Sequence, residues 1–278
     1  MADRYDLHTH SVRSDGTTTP AEIAALAAQI GLAGFALTDH DTTEGWAEAR
    51  AAAHSHGIEF LPGMEITTKH DWRSTHLLAY GIDPAAQELI DALERVRSSR
   101  QNRAREMIRR LATDFDLDWQ AVIERNVGRT VGRPHLADAL VESGFYPDRS
   151  TAFAEVLHPN SAYYVPPYAI DTVDAIRLVR DAGGVAVLAH PAAGRMRRPV
   201  DFAALEEFVD SGLWGIELDH PENRADWLPP LAEYANERGL HVTGASDYHG
   251  AGKPNKLGEC TSSEETWSLL RERVAITG

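Results

Sequence analysis

Residues 4–16 read RYDLHTHSVRSDG. Arg4 to Leu7 can form a short inner strand. His8 and His10 follow two positions apart, so in an extended chain both imidazoles leave the same face. Asp15 comes back after a turn. Two imidazoles and a carboxylate at a strand end begin a metal site. One His-X-His means little alone, so the reading depends on whether later strand ends supply more donors.

Working outward, the stretch after Gly16 predicts a helix to Ile30. Thr19 can cap it, Pro20 suits the first helical position and Glu22 completes a capping box. Ile23, Leu26, Ala27 and Ile30 share one face, and Gly31 and Gly34 stop the run. Phe35 to Thr38 is a short buried strand that delivers Asp39, His40 and Asp41. A helix through Trp46, Ala49 and Ala53 follows, then a strand Ile58 to Leu61 leading to Glu65, and a strand Ser74 to Tyr80 containing His76. After Tyr168 the rhythm resumes. Strands are expected at Val185 to Ala189, Gly215 to Leu218 and His241 to Ala245, each followed by a helix. The expected strands lie near residues 5, 36, 60, 77, 187, 217 and 243. Alternating strands and helices with polar residues at strand ends predict an α/β barrel or parallel sheet, with its chemistry at the C-terminal strand ends.

The rhythm breaks at about Gln101. A long charged helix ends near Leu111, and Trp119 to Arg125, Pro134 to Ser143 and Ser150 to Leu157 suit further helices. Residues 101–167 therefore read as a small helical insertion, a candidate lid over the active site, within a metal-binding barrel formed by 1–100 and 168–278. A purely structural elaboration is the plainer reading. Arg129, Arg133 and His135, beside Gly128 and Gly132, favour the lid.

The chain has 278 residues and a hydrophobic fraction of 43%, which suits an ordinary packed core. No apolar run is long enough to span a bilayer, and no signal-peptide pattern is visible. The single Cys260 excludes an internal disulfide framework and a thiolate metal cluster, and a reducing cytoplasm fits best. A formal charge of −15 argues against a broad double-stranded nucleic-acid surface or an anionic membrane. It does not exclude a small anionic substrate, because bound cations dominate their local field.

The donors at strand ends are His8, His10, Asp15, His40, Glu65, His76, His190, Asp247 and His249. Singly, each histidine is more often a hydrogen-bonded structural residue than a ligand. Together they are too many for one ion and fit two or three. Imidazole and carboxylate suit manganese, iron or zinc. Glu65 and Asp247 are the natural bridging ligands, since a carboxylate has two oxygens to share.

The stretches DLHTHSVRSDG (6–16), LTDHD (37–41), GMEIT (63–67), LAHP (188–191) and ASDYHG (245–250), with His76 before LLAYG, resemble the PHP family, the polymerase and histidinol phosphatase group. The resemblance spans almost the whole chain outside the insertion. It implies a distorted (βα)7 barrel holding two or three divalent ions, manganese first, with iron or zinc acceptable. It implies one ion at His8, His10, Glu65 and Asp247, a second at Glu65, His76 and His190, and a third at Asp15, His40 and His249. The opening HSVRSDGTTTP and the GRPH stretch (132–135) are similar to stand-alone members related to nucleotide 3′,5′-bisphosphate phosphatases and 5′-3′ exoribonucleases.

The expected activity is removal of the 3′-phosphate from a nucleoside 3′,5′-bisphosphate by a metal-bridging hydroxide. The alternatives are 5′-3′ exonuclease action on short 5′-phosphorylated RNA and, after that, histidinol-phosphate hydrolysis. The partner would be a small phosphorylated nucleotide or a short RNA 5′ end. Arg133, His135 and Arg195 are the candidate phosphate contacts, because a guanidinium fork matches phosphoryl oxygens. His220 and Asp39 are candidates for catalytic support, and Asp39 could instead orient a ligand histidine directly. An amidohydrolase-type C–N hydrolase fits less well, since the lysines lie in loops. A metal-stabilised binding module would predict missing donors, and none is missing.

Overall fold

The protein is described from a computed structural model. It covers residues 3–71, 73–125, 131–166, 168–194, 196 and 198–274, without the side chains of Gln101, Ala121 and Arg125. The chain divides into two compact units. One comprises Met1–Leu93 and Ala169–Gly278, the other Glu94–Tyr168.

The first unit is built on strands β1 (Arg4–Asp6), β2 (Gly34–Leu37), β3 (Glu59–His70), β4 (Arg73–Tyr80), β5 (Ile170–Asp171), β6 (Val185–Leu188), β7 (Gly215–Asp219), β8 (His241–Gly244) and β9 (Ser262–Ser263). They pair in the order β8-β7-β6-β4-β3-β2-β1-β9, with β5 attached to β3. Seven of them, at the seven expected places, make the barrel wall, and β5 and β9 are two-residue additions at its margin. The wall is nearly closed. Thr9 bridges Tyr248 in parallel, and the His10 amide donates to the Tyr248 carbonyl at 2.8 Å.

The sheet is mixed rather than parallel. β3 and β4 form an antiparallel hairpin, and β4 is antiparallel to β6 as well, while the other wall contacts are parallel. β3 is also longer than the expected 58–61 and runs twelve residues to His70. Glu65 therefore sits inside a strand and not past its end. A hairpin needs only a tight turn, here at Asp71 with φ 52°, so no crossover helix separates the two strands.

The helices are α1 (Pro20–Gln29), α2 (Trp46–His56), α3 (Gln87–Leu111), α4 (Trp119–Arg125), α5 (Arg133–Glu142), α6 (Arg149–Ala154), α7 (Thr172–Asp181), α8 (Phe202–Asp210), α9 (Leu228–Arg238) and α10 (Glu264–Val274). α1 starts as its sequence requires. Thr19 accepts from the Glu22 amide at 3.2 Å, and Glu22 answers at the Thr19 amide at 2.8 Å. Tyr5, Leu7, Leu61, Tyr80, Val187 and Trp267 belong to the barrel unit's apolar core, where Tyr5 stacks on Trp267 at 4.4 Å.

The second unit begins inside α3, ahead of the break expected at Gln101. α3 is one continuous helix, so its periodicity does not mark the point where its packing partners change. This unit has its own core, in which Met107, Leu111, Leu136, Leu140, Ala152 and Leu157 pack together. It contains no strand among its described residues.

Candidate metal centre

The donors arrive on the ends of barrel strands. β1 leads directly into His8 and His10, both fully buried. The loop after them turns tightly. The amides of Ser14 and Gly16 donate back to the Ser11 carbonyl at 3.1 and 3.0 Å, which returns Asp15 to His10. Gly16 is needed here because a Cβ at this position would lie 2.3 Å from the His10 carbonyl oxygen. Asp39 holds the same loop, accepting from the Ser11 amide at 2.8 Å and from the Ser11 and Ser14 hydroxyls at 2.6 Å each. Among the described residues these bonds go to the loop serines and none goes to a histidine. Ser14 stands between them, its Oγ 3.5 Å from His10 Nδ1.

The side chains form adjoining groups with shared members. His10, Asp15, His40 and His249 make the first; His8, His10, Glu65 and Asp247 the second; Glu65, His76 and His190 the third. In the second group, Glu65 Oε2 is 3.3 Å from His8 Nε2 and 3.1 Å from His10 Nε2. Asp247 Oδ1 is 3.4 Å from each of the same nitrogens. The other Glu65 oxygen, Oε1, lies 2.6 Å from His76 Nδ1 and 3.1 Å from His190 Nε2. The two Glu65 oxygens thus face different imidazole sets. In the first group, Asp15 Oδ1 is 3.3 Å from His249 Nε2, and Asp15 Oδ2 is 3.8 Å from His40 Nε2. All nine expected donors are brought together in this way.

These separations suit divalent ions. A metal–donor distance of about 2.1 Å gives donor–donor edges of roughly 3.0 Å in an octahedron and 3.4 Å in a tetrahedron. The observed spacings in the second group fall between 3.0 and 3.4 Å. His8 Nε2 and His10 Nε2 are 3.0 Å apart, a contact in which two neutral imidazoles can satisfy each other only if one donates and the other accepts. Two lone pairs aimed at one cation need no such arrangement. The donor set therefore fits more than one metal ion.

The charges point the same way. Burial alone would raise the Glu65 carboxyl, but the imidazoles of His76, His40 and His8 overcome it and hold it well below the usual carboxylate range. Asp15 is likewise raised by burial and lowered further by His249 and His40, ending well below that range. Burial pushes the His10 imidazole down, yet its bonds to Asp247 and Glu65 carry it up to about 9. Buried carboxylates thus favour positive charge on His8 and His10. A bound cation would supply positive charge at the same place.

Four supporting residues are not singled out by the sequence reading. Glu217 is wholly buried on β7. Its Oε1 lies 3.0 Å from His8 Nδ1, and its Oε2 accepts from the His190 amide at 2.8 Å. A carboxylate receiving the Nδ1 proton leaves Nε2 of His8 free to face a metal. The available signal was a lone glutamate inside an apolar strand. Asp6, equally buried, accepts from the amides of His8, Ser246 and Gly258 at 3.3, 3.0 and 2.8 Å and ties both ends of the barrel wall together. Asp41 accepts from the Thr67 amide and hydroxyl at 2.9 and 3.0 Å, which steadies β3 beside Glu65. Lys253 places Nζ 2.5 Å from Asp247 Oδ2 and 3.4 Å from Glu222. Asp41, His190 and Asp247 also carry positive φ angles of 54°, 29° and 53°, strain of the kind that collects at functional sites.

His220 is buried beside this cluster. Its Nδ1 accepts from the Glu222 amide at 3.1 Å, and its Nε2 lies 3.5 Å from Asp247 Oδ2. Arg133 and His135 belong to the helical unit. Arg133 opens α5 and donates to the Leu157 carbonyl at 3.3 Å, and His135 Nδ1 accepts from the Gly132 amide at 3.0 Å. Arg195 and Arg129 lie outside the described residues.

A PHP domain profile matches residues 6–123. The chain is 37% identical over 255 residues to a 3′,5′-nucleoside bisphosphate phosphatase of Chromobacterium violaceum, covering 89% of this chain and 88% of that one. The chain belongs to the PHP-domain family. It is also 30% identical over 249 residues to a 5′-3′ exoribonuclease of Haemophilus influenzae, covering 90% of this chain and 91% of the relative. Among solved structures, a Bifidobacterium adolescentis protein described as a metal-dependent phosphoesterase superimposes with a TM-score of 0.94 at 39% identity, covering 98% and 97% of the two chains. The PHP barrel with a helical insertion is thus the fold of this chain.

Proposed function

We propose that this PHP protein is a metal-dependent phosphoesterase that removes the 3′-phosphate from nucleoside 3′,5′-bisphosphates. The observation that carries this is Glu65, whose oxygens face two separate imidazole groups as a bridging carboxylate must. The similarity to a bisphosphate phosphatase over nearly the full chain supports the substrate class.

In this reading His8, His10, Glu65 and Asp247 hold one ion, Glu65, His76 and His190 a second, and Asp15, His40 and His249 a third. Manganese is our assignment, since every donor is nitrogen or oxygen; iron and zinc accept the same set. Bound ions would supply positive charge for the phosphoryl oxygens and a coordinated water acidic enough to attack near neutral pH. The bond between phosphorus and the 3′ oxygen breaks, the water's hydroxyl joins phosphorus, and its other proton ends on the 3′ oxygen. His220 is the residue we assign to pass that proton on, taking it up and releasing it again. Its Nδ1 accepts from the Glu222 amide, which leaves Nε2 as the nitrogen that would exchange it. Lys253 and Glu217 keep Asp247 and His8 in position.

We read the helical insertion as a lid that supplies phosphate contacts through Arg133 and His135, with Arg195 as a further contact. A small phosphorylated nucleotide is the partner. Among the described residues no helix is long and apolar enough to cross a membrane. Exonucleolytic action on short 5′-phosphorylated RNA is the second reading, favoured by the similarity to the Haemophilus enzyme.

The test is a screen of 3′,5′-bisphosphates, 3′-monophosphates and short 5′-phosphorylated RNAs with manganese, measuring released phosphate and product length. Phosphate release from bisphosphates with no RNA shortening is expected. Stepwise RNA shortening at comparable kcat/KM would move the assignment to the exonuclease. Inactivity on all three classes would overturn both.

A further inference from the structure

A cavity of about 430 Å³ lies on the barrel unit between α1 and the segment that follows β8. That size falls within the roughly 300–1,000 Å³ of small-molecule sites. Leu26 and Ile30 of α1 and Leu257 give it apolar surface, and Tyr248, Lys253 and Lys256 bring polar groups. None of the nine metal donors is among the described residues that line it. Its wall is fixed from behind. Asn255 is buried and donates to the Ser246 carbonyl at 2.9 Å, and the Gly258 amide donates to Asp6 at 2.8 Å. The Tyr248 hydroxyl accepts from the Thr18 hydroxyl at 3.2 Å.

Two features of this cavity suit a ligand. Ile30 is 37% exposed. One exposed isoleucine means little by itself, but this one belongs to a concave wall with Leu26 and Leu257. The second feature is charge. The chain has three lysines, Lys69, Lys253 and Lys256, and two of them line the cavity. The Lys253 ammonium is engaged, 2.5 Å from Asp247 and 3.4 Å from Glu222. Lys256 is exposed, and its ammonium makes no ion pair among the described residues. The neighbouring Glu259 accepts from the Lys256 backbone amide at 2.9 Å instead. In a chain of net charge −15, an ammonium of this kind beside apolar surface sets a local preference for an anion with an apolar body.

We propose that this cavity is an effector site, separate from the metal centre, for a small organic phosphate whose planar or apolar body lies against Leu26, Ile30 and Leu257 and whose phosphate meets Lys256. An ammonium on a flexible stem reaches a phosphate as a point charge and demands no fixed geometry. The site bears on the metal centre through Tyr248. Asp247 and His249, on either side of that residue, are donors, and its carbonyl accepts from the amide of a third, His10, at 2.8 Å. A ligand packed on the Tyr248 ring therefore acts on backbone that positions three donors. This holds whichever phosphoester is cleaved at the metals.

Calorimetry on the full-length, chelator-treated protein tests the site without turnover. Adenosine 5′-monophosphate and inorganic phosphate are titrated into the wild type, Lys256→Ala, Lys256→Glu and Ile30→Trp, whose indole would fill the apolar end. Neither position is a metal donor or an assigned substrate contact. The wild type should bind the nucleotide at least ten-fold tighter than phosphate, because only the nucleotide has a body to bury. Lys256→Glu and Ile30→Trp should each weaken one equivalent of nucleotide binding at least ten-fold, and Lys256→Ala by less, with unchanged circular dichroism spectra. Wild-type affinity and stoichiometry in all the variants would place the nucleotide in the metal cleft alone and overturn the proposal. No nucleotide binding by the wild type would overturn it too, as would equal affinity for nucleotide and phosphate. If Ile30→Trp does not fold, the two variants at exposed Lys256 decide. For the coupling, manganese affinity is measured by chelator competition with and without the nucleotide. The nucleotide should change it by a larger factor in the wild type than in Lys256→Glu, and equal changes would overturn the link to the metal centre.

Discussion

Replacing Glu217 by Gln tests whether a residue that touches no substrate governs the metal centre. The wild-type carboxylate serves two donors, the His8 ring at 3.0 Å and the His190 amide at 2.8 Å. A carboxamide has one accepting oxygen. If it faces His8, its NH2 group opposes the His190 N–H; if it turns round, its NH2 meets His8 Nδ1, which can accept only in the tautomer that protonates Nε2. The first leaves a fully buried donor unsatisfied, which costs about 1–3 kcal/mol, and the second puts a proton on the nitrogen assigned to the metal. Both histidines are assigned as ligands, so much of that cost should appear in metal binding. Loss of such a partner typically lowers metal affinity by about 10–100-fold, or roughly 1.4–2.7 kcal/mol, consistent with the hydrogen-bond estimate. The assay is competition against a chelator of known affinity, with metal content read by elemental analysis and folding by circular dichroism. Wild-type metal affinity in Glu217→Gln would refute the reasoning, because the side chain has no neutral way to satisfy both partners while keeping His8 Nε2 free for a metal.

Two further outcomes are expected. In metal-free protein, His8 and His10 are raised by their carboxylate neighbours, so their contribution to stability is full below the unfolded value near 6.5 and lost as pH rises through their folded values, about 9 for His10; Glu65 and Asp15 are depressed, so theirs is present above pH 4.5 and lost on acidification. Melting temperature of chelated protein should thus fall from pH 6.5 to 9, manganese should remove that fall, and a flat profile without metal would contradict the assigned charges. Gly16→Ala should destabilise the barrel unit by about 1–3 kcal/mol and lower metal content, because its methyl meets the His10 carbonyl, whose backbone cannot move without moving a ligand; denaturant unfolding and metal analysis check both.

Local chemistry made much of this protein readable from its residues. The Thr19–Glu22 capping box, the helices of the insertion and the seven wall strands follow from periodicity and caps, which involve neighbours a few positions apart. The donors were visible for a similar reason: imidazoles and carboxylates recur at the ends of short apolar strands, where a barrel gathers them.

Tertiary structure alone decided the rest. That β4 runs antiparallel depends on which strand edge it finds, and an apolar run carries no direction. Glu217 resembled any strand residue until β7 brought it to His8, 209 positions away in the chain. Asp39 looked like a histidine's partner, yet the two serine hydroxyls of the loop reach it first. Sequence specifies which groups can donate, accept or carry charge. Which of them meet is set by contacts between distant segments, whose energies depend on burial and distance and leave no trace in local order.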